Sequence, residues 1–302
     1  MDLLLLIMTL IWGSNYAIVT AAFDEMPPQP YNAIRMAVAS LTLLAAIAIA
    51  QRYRRPSIFY TPEPVSRRDW LAFFALGLFG HFLYQICFVG GLARTSVSNS
   101  SLILAITPVA IAGINGVLGR ERVGAWHWAG ALLSIGGVYL VVQGSPTREG
   151  GHLAGDLLTL GAVACWAIYT VGAGHLMERH SPLGVTGVSM SLGTVLYAPL
   201  ALRQVNEVHW GAVSASTWVA LVYSAVFALA VSYMIWYTAV QKIGGTRTSI
   251  YSNLVPIVAL AVAVLWRGEP LSRSKVLGAA LVLAGVAITR AAGHLKPAPA
   301  QE

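Results

Sequence analysis

The sequence predicts an all-α polytopic membrane protein with ten transmembrane helices, arranged as two inverted five-helix repeats. Three observations carry this. Of the 302 residues, 57% are hydrophobic and only 10% charged, whereas a soluble domain carries about 25% charged residues. Apolar stretches of about 20 residues follow one another almost without a break, each long enough to cross a hydrocarbon core as a helix. Finally, adding 148 to Pro108, Glu121, Gly130 and Gly137 lands on Pro256, Glu269, Gly278 and Gly285. Four landmarks at one offset read as two copies of a half-length unit.

Taken in order, the first half (1–143) gives spans over 2–22, 31–51, 70–92, 97–118 and 124–143. The first of these carries Asp2 and no basic leader, and it stays apolar throughout, so it reads as a retained helix and not as a cleaved signal. Residues 144–152 are a Gly-rich linker. The second half (153–292) gives spans over 153–174, 182–202, 213–240, 246–266 and 273–291, and the tail 293–302, with its Lys296-Pro297 start and polar end, is expected to be disordered. Buried helices of a soluble core usually keep a polar face, and these mostly lack one. An odd number of spans per half turns the second copy upside down. Such inverted repeats are the usual architecture of secondary transporters, with the solute site near the midplane where the halves meet.

The formal charge is +7, but the Lys and Arg residues are scattered through short segments, with no basic face and no stacking motif, so nucleic acid is not a partner. With the N-terminus inside, twelve basic residues fall on the cytoplasmic side and seven, Arg35 and Lys275 among them, on the other. The bias places both termini in the cytoplasm. The loop from Arg267 to Lys275, with three basic residues, runs against it. Cys87 and Cys165 lie inside apolar runs and read as packing residues, not as a disulfide or metal pair. No metal-protease helix, nucleophile elbow, paired carboxylates or phosphate loop is present, so neither an enzyme nor a cofactor is indicated. The expected partners are a small-molecule substrate and the lipid bilayer. A monomer suffices.

An apolar interior that holds a polar solute needs a few polar or aromatic groups at mid-span, on shared faces. Trp12, Asn15 and Tyr16 share one face of the first span. His81, Tyr84 and Gln85 share one in the third, Trp166 and Tyr169 lie in the sixth, and Tyr233 and Trp236 in the eighth. Ser249 and Asn253 form a polar stripe in the ninth, with Ser101 the partner of Ser249 in the fourth. Blander roles stand beside these. Tyr and Trp also gather at membrane interfaces, Ser and Asn also bond neighbouring helices, and His81 is either a satisfied structural histidine, a substrate partner or a group titrating near neutral pH. Pro108 and Pro256 each remove a backbone donor and free a carbonyl that needs a partner, so they read as kinks or helix hinges. Glu121 and Glu269 are expected to sit on the dipoles of the fifth and tenth helices. Gly130, Gly136, Gly137, Gly278 and Gly285 are expected to let helices approach closely. None of the twelve acidic residues lies mid-span.

Trp12-Gly13-Ser14-Asn15-Tyr16, Thr107-Pro108, Leu118-Gly119-Arg120-Glu121 and Gly130 with Gly136-Gly137, echoed by Pro256, Gly268-Glu269, Gly278 and Gly285, resemble the EamA family of the drug/metabolite transporter superfamily. The resemblance covers nearly the whole chain. It implies ten helices in two inverted repeats and export of small metabolites, often amino acids, with exporters of aromatic amino acids of the YddG type as the branch it resembles. Small multidrug antiporters of that superfamily carry a glutamate in the first helix, and here the region reads Gly13-Ser14-Asn15, which favours an aromatic, neutral or zwitterionic solute over a cationic drug. The expectation is an inner-membrane exporter of amino acids working by alternating access. A multidrug or other metabolite exporter and a non-transporting scaffold are the alternatives.

Overall fold

The computed structural model describes residues 1–53, 57–118, 125–143, 151–243, 248, 251–252 and 254–294. Among these, the regular structure is helical, with one isolated bridge between Ser57 and Tyr60. The helices are α1 (Asp2–Ala22), α2 (Pro28–Tyr53), α3 (Arg67–Leu92), α4 (Val97–Leu104), α5 (Thr107–Val117), α6 (Ala125–Gln143), α7 (Gly151–Leu176), α8 (Pro182–Leu202), α9 (Ala215–Lys242), α10 (Leu254–Arg267) and α11 (Arg273–His294). Among the described residues, seven helical stretches, α4 with α5 counted as one, are long and apolar enough to cross a membrane, and two shorter apolar helices join them. Ser249, Asn253 and Glu121 lie outside the described residues, as do 144–150 of the linker and 295–302 of the tail.

Helix starts are written in serine. Ser66, Ser96, Ser181 and Ser214 each accept from a backbone amide three residues on, filling one of the donors that a first turn leaves unpaired. At Ser66 the Asp69 carboxylate bonds back to the Ser66 amide and completes a capping box.

Three departures from the sequence reading shape the interior. First, α2 begins at Pro28, three residues before the expected start, because Pro28 and Pro30 are tolerated in a first turn where no amide is needed. Arg35, counted from sequence among the outer-side charges, is therefore seven residues into a helix and fully buried. Second, α3 and α9 each carry a π-helical stretch, Gly77–Leu83 and Ser224–Val231, in which the amides of Tyr84 and Ser232 reach back five residues to Phe79 and Phe227. Third, the fourth span is broken at Ala105 and Ile106 into α4 and α5.

The tightest crossing is that of α6 with α11. A Cβ on Gly137 would lie 2.7 Å from the Gly278 carbonyl, and one on Gly278 would lie 2.7 Å from that of Gly137, while Gly285 sits against Gly130. Ser134 donates to the Val282 carbonyl at 3.3 Å. Gly136 turns to open space, so of the expected contact glycines it is the one that takes no part, because it lies about 120° round the helix from Gly130. Elsewhere α2 packs on α8, α3 on α7 and α8, α9 on α1 and α2, α1 on α10, and α4 and α5 on α7.

Glu269 also departs from its expected place. It precedes α11 and caps a different helix, accepting from the amides of Val97 (2.7 Å) and Ser98 (3.3 Å) at the start of α4 and from the Ser98 hydroxyl. The turn that delivers it needs Gly268, whose φ of +64° an L side chain rarely adopts. Lys275, expected in a loop on the outer side, is buried in the first turn of α11, 3.6 Å from Glu269.

Candidate functional site

A cavity opens between the two halves of the chain, with an empty volume of about 880 Å³ counting its mouth. It is lined from α1 by Trp12, Asn15 and Tyr16, from α3 by Tyr84, Gln85 and Phe88, and from α7 by Trp166. From α9 come Ala228, Leu229, Tyr233 and Trp236, and the broken fourth span adds Ser101, Thr107 and Pro108. Ser252 and Pro256 line it from the ninth span, and Arg35 from α2.

Its aromatic wall is one connected group. Trp12 meets Trp166 edge-on with ring centres 6.1 Å apart, meets Tyr233 edge-on at 6.0 Å and lies tilted on Trp236 at 5.6 Å. Trp166 in turn lies 5.2 Å from both Tyr84 and Tyr233. Edge-to-face pairs of this kind are worth about 0.5–1.5 kcal/mol beyond area burial, so the wall holds its shape while offering ring faces to a guest. The Trp12 indole is oriented by one hydrogen bond, Nε1 to the Ala228 carbonyl at 2.9 Å. Ala228 lies in the π-helical stretch of α9, where the wider turn leaves a carbonyl available to an outside donor.

The polar contributors are few. Arg35 is fully buried and donates from Nε to Asn32 (3.0 Å), from Nη1 to Ser224 (3.1 Å) and from Nη2 to Gln85 (2.7 Å). Among the described residues, side-chain atoms of Asn15 (Oδ1), Gln85 (Nε2) and Trp236 (Nε1) are buried without a protein partner. Pro108 sits at the start of α5, and the carbonyl it cannot bond, that of Leu104, instead accepts from the Thr107 hydroxyl at 2.7 Å. The freed carbonyl expected from sequence therefore has its partner one residue before the proline.

The structure thus brings eleven sequence-nominated residues to one cavity: Trp12, Asn15, Tyr16, Tyr84, Gln85, Ser101, Pro108, Trp166, Tyr233, Trp236 and Pro256. His81 and Tyr169 stand behind the wall. The His81 ring lies 4.8 Å from that of Tyr169 and its Nε2 is 3.2 Å from the Ser189 hydroxyl of α8, at the place where Gly77 and Gly193 let α3 and α8 touch. Sequence reasoning missed Arg35 and Thr107 as lining residues, whereas Phe88 and Ser252 lie on the third-span and ninth-span faces that the spacing marks out. For Arg35 a signal existed, since the prolines at 28 and 30 mark a helix start and put residue 35 two turns inside it. Among the described residues, no group of three or more His, Cys, Asp or Glu side chains could hold a metal ion.

Comparison with known proteins agrees with this architecture. The sequence model described as the EamA-like transporter family matches residues 1–143 and again 153–291. The chain is 25% identical to the uncharacterized transporter YyaM of Bacillus subtilis, over 94% of this chain and 91% of that one. It is 26% identical to a "Probable amino-acid metabolite efflux pump" of Salmonella typhimurium, over 94% and 93%. It is 27% identical to a "Probable terminal-alkyne amino-acid exporter" of Streptantibioticus cattleyicolor, over 93% and 90%. A crystal structure at 18% identity superposes with a TM-score of 0.65 over 96% of each chain, a likeness of fold.

Proposed function

The chain belongs to the EamA-like transporter family, and on that premise we propose that it is a secondary transporter of a bacterial inner membrane, exporting amino acids or related small metabolites, aromatic ones foremost, by alternating access. The observation that carries this reading is the cavity itself. Its walls come from both halves, its surface is mostly ring and methyl, and its few polar atoms converge from α1, α2, α3 and α9. Asn15 Oδ1, Gln85 Nε2 and Trp236 Nε1, which have no protein partner among the described residues, belong to side chains on this lining, where a solute can meet them.

The reading includes ten spans in two inverted five-helix repeats. The packing supports it. Exchanging each element for its counterpart in the other half turns the α3–α7 contact into α9–α1, α3–α8 into α9–α2, and α1–α10 into α7 with α4 and α5, and all of these exist. The pair Gly137–Gly278 becomes Gly285–Gly130 at the offset of 148, while Ser134 bonds its own counterpart, Val282. The π-helical stretches also fall at matching places, Gly77–Leu83 and Ser224–Val231.

On this topology the loops after α1, α3, α8 and α10 share one face and carry several ties across the halves, while on the opposite face Asp69 lies 3.2 Å from Arg179 and 3.2 Å from His180. Glu25 accepts from Ser214, Arg267 lies 3.3 Å from Asp24, and Glu269 holds the start of α4. A face latched by exposed ion pairs and caps can be opened at modest cost, which alternating access requires. Moving Arg35 from the outer-side count to the interior removes one charge that opposed cytoplasmic termini.

The test is flux of labelled amino acids in proteoliposomes, with and without a pH gradient, for the wild type and for Trp166→Ala. Saturable movement of aromatic amino acids that Trp166→Ala abolishes in a folded protein supports the reading. No flux of any amino acid, or flux unchanged by the substitution, overturns it.

A further inference from the structure

We propose that Arg35 is the carboxylate-binding group of the cavity, so that the transported solute is a small organic acid or zwitterion with an apolar or aromatic body. This rests on the carrier reading above and adds the charge that the solute must carry.

The first ground is the charge balance. Arg35 is fully buried, and its three partners, Asn32, Gln85 and Ser224, are all neutral. Among the described residues, no Asp or Glu pairs with it; the ion pairs present involve Asp24, Asp69, Glu178 and Glu269. A guanidinium keeps its charge in any protein, and an ion inside a membrane protein persists where it serves a partner or a pathway. Structural ties to Asn32, Gln85 and Ser224 would be served as well by a neutral donor. The positive charge is what those ties leave unexplained.

The second ground is the set of groups around it. Three of its five N–H groups have acceptors, and the residue lines the cavity. Gln85, which it orients through Oε1, has its Nε2 buried without a protein partner among the described residues. A cation beside a neutral donor calls for an acceptor-only group. A carboxylate has two oxygens with about four lone-pair sites and matches the guanidinium fork. On the same lining, Asn15 offers an unpartnered Oδ1, and Trp12, Tyr84 and Trp166 offer ring faces. An ammonium would find an acceptor and π-surface there, and an aromatic side chain would find its wall.

The test begins with the wild-type protein in detergent, titrated with L-phenylalanine, L-phenylalaninamide and phenethylamine and followed by thermal stabilisation. The same three compounds compete against labelled L-phenylalanine in proteoliposomes. These probes share the ring and differ at the carboxylate. The acid is expected to bind at least about tenfold more tightly than the amide or the amine, the scale of a charged hydrogen-bonded pair. Arg35→Gln is expected to erase that preference and Arg35→Lys to keep part of it. If acid and amide bind alike, the proposal is overturned while the carrier reading stands. If acidic, neutral and cationic solutes all fail to bind or move, the carrier reading falls and takes the proposal with it. Should Arg35→Gln fail to fold, Arg35→Lys supplies the comparison, and an acid preference unchanged from wild type in either variant overturns the assignment to Arg35.

Discussion

The indole of Trp12 donates to the backbone carbonyl of Ala228 at 2.9 Å, fixing the first helix to the π-helical stretch of α9 across the two halves of the chain. The bond sets the angle at which Trp12 meets Trp166, Tyr233 and Trp236. Trp12→Phe keeps an aromatic ring and removes the donor. A net hydrogen bond is worth about 1 kcal/mol, so the variant is expected to fold, to melt slightly lower and to lose several-fold in apparent affinity for aromatic amino acids in proteoliposome uptake. Uptake curves identical to wild type would mean that the indole N–H does not position the wall.

The α6–α11 crossing predicts a contrast among neighbouring glycines. A methyl group on Gly137 or Gly278 would meet the opposing backbone at 2.7 Å, whereas one on Gly136 would meet nothing within 4 Å. Backbone cannot yield as a side-chain tip does, and overpacking costs typically 1–3 kcal/mol. Gly137→Ala and Gly278→Ala are therefore each expected to lose about that much in denaturant unfolding in detergent. Gly136→Ala is expected to be neutral or slightly stabilising, since alanine is the better helix former.

Several spans were legible because length and hydropathy determine them. The expected 2–22 and 182–202 coincide with α1 and α8. The wall was legible too, since Trp12, Tyr84, Trp166 and Tyr233 are large polar-edged rings in mid-span, where little else would hold them. Three things were hidden. The π-helical stretches leave no pattern, because Gly77–Leu83 and Ser224–Val231 read as ordinary apolar helix and the extra residue per turn is set by packing. Arg35 was misplaced by starting α2 at 31, which left its charge looking external. His81 stood out by its chemistry, yet its neighbours are Ser189 and the Tyr169 ring, both supplied by the second half and beyond any reading of local spacing.

Glu25 predicts a pH-dependent contribution from the loop after α1. Its carboxylate accepts from the Ser214 amide at 2.7 Å and from the Ser214 hydroxyl at 2.8 Å, and these bonds hold its pKa below the ordinary value of 4.5. A carboxylate whose folded pKa is depressed adds stability above its unfolded pKa and loses it as pH falls through the folded value. Comparing the melting of wild type and Glu25→Gln across pH should show a difference at pH 7 that is constant down to about 4.5 and shrinks below it. The side chain is exposed and solvent-screened, so the difference is expected to be small. A gap that widens toward acid would contradict the assignment.

Glu269 predicts the larger effect on the same face. Its carboxylate caps α4 through Val97 and Ser98 and lies 3.6 Å from the buried Nζ of Lys275, which is also 3.4 Å from the Ser96 hydroxyl. Glu269→Gln keeps one acceptor for the α4 amides but leaves Lys275 without its counter-charge. Removing one partner of a buried pair costs 3–5 kcal/mol, while exposed pairs are worth about 0–1. With one partner buried and Glu269 15% exposed, the expected cost is intermediate, about 2 kcal/mol. Lys275→Met removes the stranded cation, so in a double-mutant cycle the pair Glu269→Gln with Lys275→Met should lose clearly less than the sum of the singles. Additive losses would show that the two charges do not act on each other and that Glu269 works as a helix cap alone. Because this cap ties the α10–α11 loop to the fourth span, the non-additive result would also mark the ion pair as a restraint between them.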